Sequence, residues 1–388
     1  MTQFNTIYSR KGTKSIKWDA LQDIFKTDDV LPMWVADMDF PAPQAVLETL
    51  NKRIQHGIFG YTMIDQEVKQ SIVNWLDRRH QWKVQTEWLT FSPGVVTSLH
   101  IAIQALTSPK DKVLIQTPVY TPFYNVIKMH DRIVVKNSLI YENGTYRIDF
   151  NDLEQKLKDV QAFILCSPHN PVGRVWKKAE LNKIATLCEK HDVLLISDEI
   201  HADLIYPNHK HTPIASLSEE MSMRTITCMS PSKTFNLAGL QASYIVTENP
   251  VLKKKIDTTL RKQGLSLLNT LGTLAMEAAY SYGEAWLDEL LNVLEGHVNY
   301  VIETLETNTD LRVVRPEGTY LLWIDCKSLG LTGKDLHEFM IKKAKVGLNA
   351  GFEYGVEGEQ FMRINIACPK ETLQEGINRI INAVQSYE

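Results

Sequence analysis

Lys233 stands directly after Ser230-Pro231-Ser232, at the end of the apolar, β-branched run Thr225–Met229. The run has strand character, and Pro231 breaks it. A lysine just past a strand end lies where open α/β sheets gather their ligands. Its amine can form a Schiff base with a carbonyl cofactor, and neighbouring hydroxyls can bind that cofactor's phosphate. The ordinary alternative is a solvated surface charge, so the rest of the sequence has to supply what such a site needs.

Three other apolar runs end in residues of matching chemistry. Lys112–Gln116 leads to Tyr120, Ala162–Cys166 to Asn170, and Val193–Ser197 to Asp198. Helical spacing separates some of these runs, as in 178–190, where Leu181, Ile184, Leu187 and Cys188 share a face. Continuous apolar strands alternating with helices predict a parallel sheet covered on both sides. Parallel strands place equivalent ends on one edge, so Tyr120, Asn170, Asp198 and Lys233 are expected to converge there. Upstream, Leu89–Phe91 is followed by Ser92-Pro93-Gly94 and a helical stretch from Val95 to Leu106. A strand, a glycine turn and a helix start can form an anion cradle of free backbone N–H groups.

An aldehyde cofactor with a pyridine ring would use all of these groups. Lys233 would hold it covalently, and Asp198 would face the ring nitrogen so that the ring can absorb carbanion electrons. Tyr120 would lie over the ring, and Asn170 would donate to its phenolate oxygen. The Gly94, Val95 and Val96 amides with the Ser230 and Ser232 hydroxyls would take a phosphate of charge about −2. Arg363, in the strand-like run Gln360–Ile366, is the candidate for a bidentate grip on a substrate carboxylate. Singly, each has an ordinary reading as a core tyrosine, a turn asparagine or a surface arginine.

The elements beyond the sheet suggest two domains, which 388 residues can fill with ample core. We expect a large domain over 46–285 and a small one from 1–45 with 286–388. Residues 1–44 look irregular, with Pro32, Pro41 and Pro43 barring a long helix. Helices are expected over 44–54, 66–79, 251–262, 271–282, 284–305 and 334–345. Asp37 and Asp39, flanking Met38, read equally as a site or as turn and cap residues.

Composition removes several classes. The chain is 44% apolar and 23% charged, ordinary for a globular enzyme, and no stretch is long and apolar enough for a membrane span. A net charge of −4 argues against nucleic acid as the main partner. The polar first residues carry no signal-peptide core, and five scattered cysteines make no disulfide framework or CxxC pair. A cytoplasmic protein is expected, with the cysteines as buried free thiols.

Taken together, these motifs resemble the fold-type I pyridoxal-phosphate enzymes of the aspartate aminotransferase superfamily. Within them they resemble the MalY/PatB branch of cystathionine β-lyases and cysteine-S-conjugate C–S lyases. The likeness runs through Leu31–Phe40, His56–Thr62, Ser92–Val96, Ser167–Gly173, Asp198–Leu204, Ser230–Gly239 and Met362–Pro369. It implies an α/β fold with a large, mostly parallel sheet domain and a smaller α/β domain, and pyridoxal 5′-phosphate as cofactor. It implies Lys233 as Schiff-base lysine and proton shuttle, with Asp198, Asn170, Tyr120, Ser230, Ser232 and Arg363 in the roles above. Asn170 would also meet the substrate. Tyr61, in the glycine-flanked loop His56–Thr62, would reach the cofactor phosphate and substrate of a neighbouring subunit, which makes the active unit a homodimer.

Two positions depart from the aminotransferase pattern. His201 stands where many aminotransferases have a tyrosine on the ring oxygen, and Gln241 where many have a phosphate-binding arginine. The first agrees with the lyase branch; the second leaves the phosphate ligands incomplete. The implied reaction is β-elimination from L-cystathionine or another cysteine S-conjugate, giving a thiol, pyruvate and ammonia. Transamination of small amino acids, and a partner-binding regulator that retains lyase activity, stand as alternatives. Ser230-x-x-Lys233 also matches the S-x-x-K of serine acyl-transfer enzymes, but their S-D-N and K-T-G companions are missing. His209 and His211 lack nearby cysteine or acidic neighbours in sequence, so loop polarity explains them better than a metal. The tight strand-end turn predicts a cis bond at Asn170-Pro171, and the family resemblance implies another at Thr117-Pro118.

Overall fold

In the computed structural model, which describes residues 2–387, five expected strands join two that were not expected, Ile133–Ser138 and Ser243–Val246, in one seven-stranded sheet. Its members are β1 (Leu89–Ser92), β2 (Lys112–Thr117), β3 (Ile133–Ser138), β4 (Ala162–Cys166), β5 (Leu194–Asp198), β6 (Thr225–Met229) and β7 (Ser243–Val246). The spatial order is β1-β7-β6-β5-β4-β2-β3. β2 to β6 pair in parallel with their neighbours, whereas β7 runs antiparallel to both β6 and β1. β1 therefore points the same way as the parallel strands.

Both faces of the sheet are covered. Phe163 and Leu165 of β4 pack on one side with Leu181 and Ile184 of helix Lys178–Lys190. Ala162, Ile164 and Cys166 point the other way, to Leu99 and Ile103 of helix Val95–Leu106 and Ile256 of helix Pro250–Lys262. Each large apolar side chain so buried contributes about 1.5–3 kcal/mol. That two-sided demand is why these strands read as continuous apolar runs.

A second sheet comprises β8 (Arg312–Val314), β9 (Leu321–Asp325), β10 (Asn349–Ala350) and β11 (Phe361–Asn365), all antiparallel in the order β8-β9-β11-β10. Leu321, Ile364 and Ile366 share a core with Leu294 and Val301 of helix Glu284–Asn308 and Ile377 and Ile380 of helix Lys370–Gln385. The expected helix over 334–345 spans Gly333–Lys342, and Lys345 beyond it turns left-handed.

The N-terminal region holds two short helices, Ile16–Asp19 and Leu21–Phe25, then a strap over 33–40. Asn365 Nδ2 donates to the Val35 and Asp37 carbonyls, at 2.6 Å each. From the other side, Asn236 accepts from Met38 N and donates to Met38 and Phe40 oxygens. The strap is thus tied both to β11 and to the turn after β6. Asp37 and Asp39 are neither ligands in the chamber described below nor helix caps. They hold Arg10 and Lys17 in a partly buried ion cluster, with Trp18 Nε1 on Asp39, while Pro43 precedes helix Gln44–His56. All five cysteines are free and buried. Among the described residues no helix is long and apolar enough to cross a membrane.

Candidate active site

The C-terminal ends of β1, β2, β4, β5 and β6 border one chamber of about 180 Å³. It is lined by Gly94, Val95 and Val96 on one side and by Tyr120, Asn170, Asp198, His201, Ser230, Ser232 and Lys233 on the others. The convergence expected of parallel strands is therefore what the chain does. A wider space of about 770 Å³ adjoins it and shares Ala36, Lys233, Ala238 and Gln241.

Lys233 lies on a single helical turn, Pro231–Thr234, that starts where β6 ends. Its Nζ donates to the Ala36 carbonyl of the strap at 2.7 Å, and Tyr320 Oη donates to the same oxygen at 2.9 Å. Burial draws the lysine pKa down to about 8, partly opposed by Asp37 and Asp198. Asp198, the last residue of β5, is buried and accepts from Ile200 N at 3.2 Å. Burial lifts its pKa to about 7, with Glu199 adding and Lys233 opposing. A carboxylate so poorly compensated is matched to a cationic partner, and a protonated ring nitrogen is one.

Asn170 sits in the turn after β4, where Ser167-Pro168 and Asn170-Pro171 are both cis, as is Thr117-Pro118 in the turn after β2. The two turns are stitched by Tyr120 N to Asn170 O and by His169 Nε2 to Pro118 O at 2.8 Å. Since a carbonyl only accepts, His169 carries its proton on Nε2. Arg363 Nη1 donates to Asn170 Oδ1 at 3.1 Å, which leaves the Asn170 amide nitrogen to donate to a ligand. Farther out, Glu317 accepts from Arg174 Nε at 2.9 Å and Val175 N at 2.8 Å, pinning this turn against the second sheet's side.

Arg363 does not itself line the chamber. It projects from β11, where Nη2 also donates to Trp34 O at 2.9 Å and Asn349 Oδ1 at 2.5 Å. Its Nε is buried without a partner, a donor left over for a ligand. His201 is buried and held neutral, its pKa pushed down to about 3 by burial and by Lys233 and Arg363; its Nδ1 has no protein partner.

The residues read from the sequence as an anion cradle line the same chamber. A Cβ at Gly94 would meet no protein atom within 4 Å, so the start of helix Val95–Leu106 is open on that side. Ser232, which lines the chamber, brings a hydroxyl that has no hydrogen bond among the described residues. Ser230 is already committed: its Oγ donates to Ala242 O at 2.8 Å and accepts from Ser232 N at 3.0 Å, capping the lysine turn. Gln241 lines the chamber in a left-handed conformation, and among the described residues Lys233 is its one cationic lining residue. Thr97, in the first turn of the helix, adds a hydroxyl that sequence reasoning missed, although a threonine three residues past Gly94 is the signal. Ala36 and Tyr320 were missed too. A backbone carbonyl and a phenol far apart in the chain carry no local signature.

Tyr61 is 99% exposed and lies away from the chamber, in a groove with Arg53, His56, Thr270 and Tyr282. The loop-polarity reading of His211 is corrected: its ring is buried, with Nε2 on Glu199 Oε2 at 2.8 Å. Its acidic partner is twelve residues upstream and reaches it only through the fold.

Residues 28–380 match the family model for aminotransferase class I and II. Cystathionine beta-lyase PatB of Bacillus subtilis (strain 168) is 48% identical over 380 residues, covering 97% of this chain and 98% of the relative. Cystalysin from Treponema denticola, solved with a pyridoxal 5′-phosphate cofactor, superposes with a TM-score of 0.96 at 39% identity, over 99% of each chain. A pyridoxal-phosphate-bound C–S lyase from Staphylococcus hominis does so with a TM-score of 0.91 at 33% identity, over 98% of this chain and 97% of that one.

Proposed function

This chain belongs to the aminotransferase class I and II family, and from that premise we propose that it is a pyridoxal-5′-phosphate-dependent carbon–sulfur β-lyase. It takes L-cystathionine or other S-conjugates of L-cysteine and releases a thiol, pyruvate and ammonia. The observation that carries this reading is the meeting of Lys233, Asp198, Asn170 and Tyr120 in one chamber closed at one end by an open helix start.

The residues fit the cofactor. Asp198 has the buried, basic carboxylate that a pyridinium nitrogen needs, Asn170 a spare amide donor, and Gly94 to Thr97 with Ser232 a phosphate cradle. Bound there, pyridoxal phosphate supplies a ring that takes up the electrons released when the substrate's α-proton leaves. Arg363 orients the substrate by its α-carboxylate. Lys233 Nζ, near pKa 8, takes the α-proton as a base matched to neutral pH, and the Ala36 carbonyl receives one of its N–H bonds. The sulfur departs as a thiolate without a dedicated acid, because thiols ionise near pH about 8.5. What remains of the substrate hydrolyses to pyruvate and ammonia.

Transamination would use the same α-proton removal. Elimination is favoured by the neutral ring of His201, which offers no phenol to the cofactor oxygen, and by the 48% identical relative named as a β-lyase. The same reading makes the active unit a homodimer, each chamber completed by Tyr61 from its partner. Ile58, Phe59, Tyr61, Met63 and Tyr282, all exposed, support a face that is covered in solution. It also groups 46–285 as the cofactor-binding domain and 1–45 with 286–388 as the small domain, and places the protein in a reducing cytoplasm.

The test is incubation of the holoprotein with L-cystathionine and no added keto acid. Pyruvate, ammonia and homocysteine in equal amounts are expected. A strict requirement for a keto-acid acceptor would replace the lyase with an aminotransferase.

A further inference from the structure

Behind the chamber lies a buried carboxylate that the chemistry above does not use. Asp203 follows Asp198 by five residues and His201 by two. Its Oδ2 accepts from Thr234 Oγ1 at 2.7 Å, and its Oδ1 from Trp75 Nε1 at 3.0 Å and His80 Nε2 at 2.9 Å. All four side chains are buried. Removing a carboxylate from water is strongly unfavourable unless it is fully bonded, and an apolar side chain could fill the same volume. The anion at this place therefore calls for a reason.

Thr234 supplies it, since it directly follows Lys233. The turn Pro231–Thr234 is only four residues long and closes with Phe235 N to Pro231 O. A single helical turn has almost no stability of its own. What holds it is external: Ser230 on Ala242 O, Thr234 on Asp203, and Asn236 on the strap. Of these anchors, Asp203 alone belongs to the turn that carries Asp198 and His201. That turn is fixed from its other end as well. Glu199 accepts from Ser197 Oγ at 2.8 Å, His211 Nε2 at 2.8 Å and Ile214 N at 3.3 Å. The His80 and His211 rings meet edge to face at 5.4 Å, joining the two carboxylate clusters.

We propose that Asp203 is a positioning residue: held by Trp75 and His80, it grips Thr234 and fixes the Lys233 amine relative to Asp198 and His201. The clamp acts on no reacting atom itself. It sets the distance and angle at which the lysine meets the cofactor's carbonyl carbon and the substrate's α-proton, and it rests on the cofactor reading above.

The experiment compares holoprotein with Thr234→Val, Thr234→Ser and Asp203→Asn variants. Valine keeps the shape of threonine without its hydroxyl, serine keeps the hydroxyl, and asparagine keeps the shape of aspartate. The readouts are the pH titration of the visible absorbance of the lysine–cofactor linkage, kcat and KM on a cysteine conjugate, and Tm. In Thr234→Val and Asp203→Asn the titration midpoint should move by about half a pH unit or more, and kcat should fall about 10- to 100-fold with KM changed by less than about threefold. Thr234→Ser should return both to the wild-type values. A folded Thr234→Val or Asp203→Asn protein with wild-type midpoint and kcat overturns the clamp, whatever its Tm. A wild-type holoprotein without a visible band overturns the cofactor reading, and the clamp with it.

Discussion

Replacing Arg363 tests its proposed grip on the substrate carboxylate. The guanidinium already spends Nη1 on Asn170 and Nη2 on Trp34 O and Asn349, and keeps a buried, unpartnered Nε. Lysine at 363 retains the charge but not the planar fork, so at least one charge-assisted bond to the carboxylate is lost. Such a bond contributes about 1.5–3 kcal/mol, which is about a tenfold to 150-fold fall in kcat/KM. The carboxylate is held before and during proton removal alike, so the loss should appear in KM with kcat nearly unchanged. Arg363→Ala removes the charge and strands Asn170 Oδ1, Asn349 Oδ1 and the Trp34 carbonyl, which is expected to cost about 2–5 kcal/mol. Because Asn170 is also proposed to bind the cofactor, the cofactor dissociation constant is measured beside the kinetics. The decisive assay compares pyruvate-forming elimination from an S-substituted L-cysteine with thiol release from its carboxamide. Wild type should discriminate strongly against the carboxamide, and Arg363→Ala hardly at all. An alanine variant that keeps the wild-type ratio of acid to carboxamide would show that the carboxylate is bound elsewhere.

Burial raises the Asp198 carboxyl from 3.8 to about 7, so in the cofactor-free protein its stabilising contribution is complete below pH 3.8 and lost as pH rises through about 7. Cofactor-free Asp198→Asn should therefore melt above cofactor-free wild type at pH 8, with the gap closing toward pH 4, while the holoproteins rank the other way. Lys233→Ala and Tyr61→Ala should each be inactive alone, yet coexpression should restore activity through dimers with one intact chamber; no restoration would separate Tyr61 from the partner's site. Gly173, at φ +73°, would place a Cβ 2.7 Å from Pro316 Cβ, so Gly173→Ala should lower stability by more than about 2 kcal/mol in denaturant titration.

The sheet edge was legible because its residues follow runs that only a doubly covered parallel strand needs. Asp198 and Lys233 could be placed from local pattern alone, and so could the helix start at Val95. β7 was not legible: Ser243–Val246 is four residues long, and nothing in so short an apolar run tells its direction. The hairpin Ile140–Glu142 with Thr145–Arg147 was legible and overlooked. Asn143 and Gly144 at its tip both have positive φ, the turn that an Asn-Gly pair favours. The partners of Lys233 were out of reach for a different reason. Ala36 lies 197 residues away and contributes a carbonyl, which every residue has. Asp203 looked like one more polar residue after a strand, and only the fold brings Trp75, His80 and Thr234 to it.

The five buried cysteines have a consequence for an enzyme whose product is a thiol. Disulfide exchange needs an accessible thiolate. Burial raises the pKa of Cys166, Cys188, Cys228, Cys326 and Cys368 alike, including Cys166 at the chamber wall. Burial and a raised pKa both disfavour exchange between these thiols and a released thiol or its disulfide. The same burial favours a low background for labelling. One cysteine placed on the exposed surface would be its sole reactive thiol, ready to carry a fluorophore.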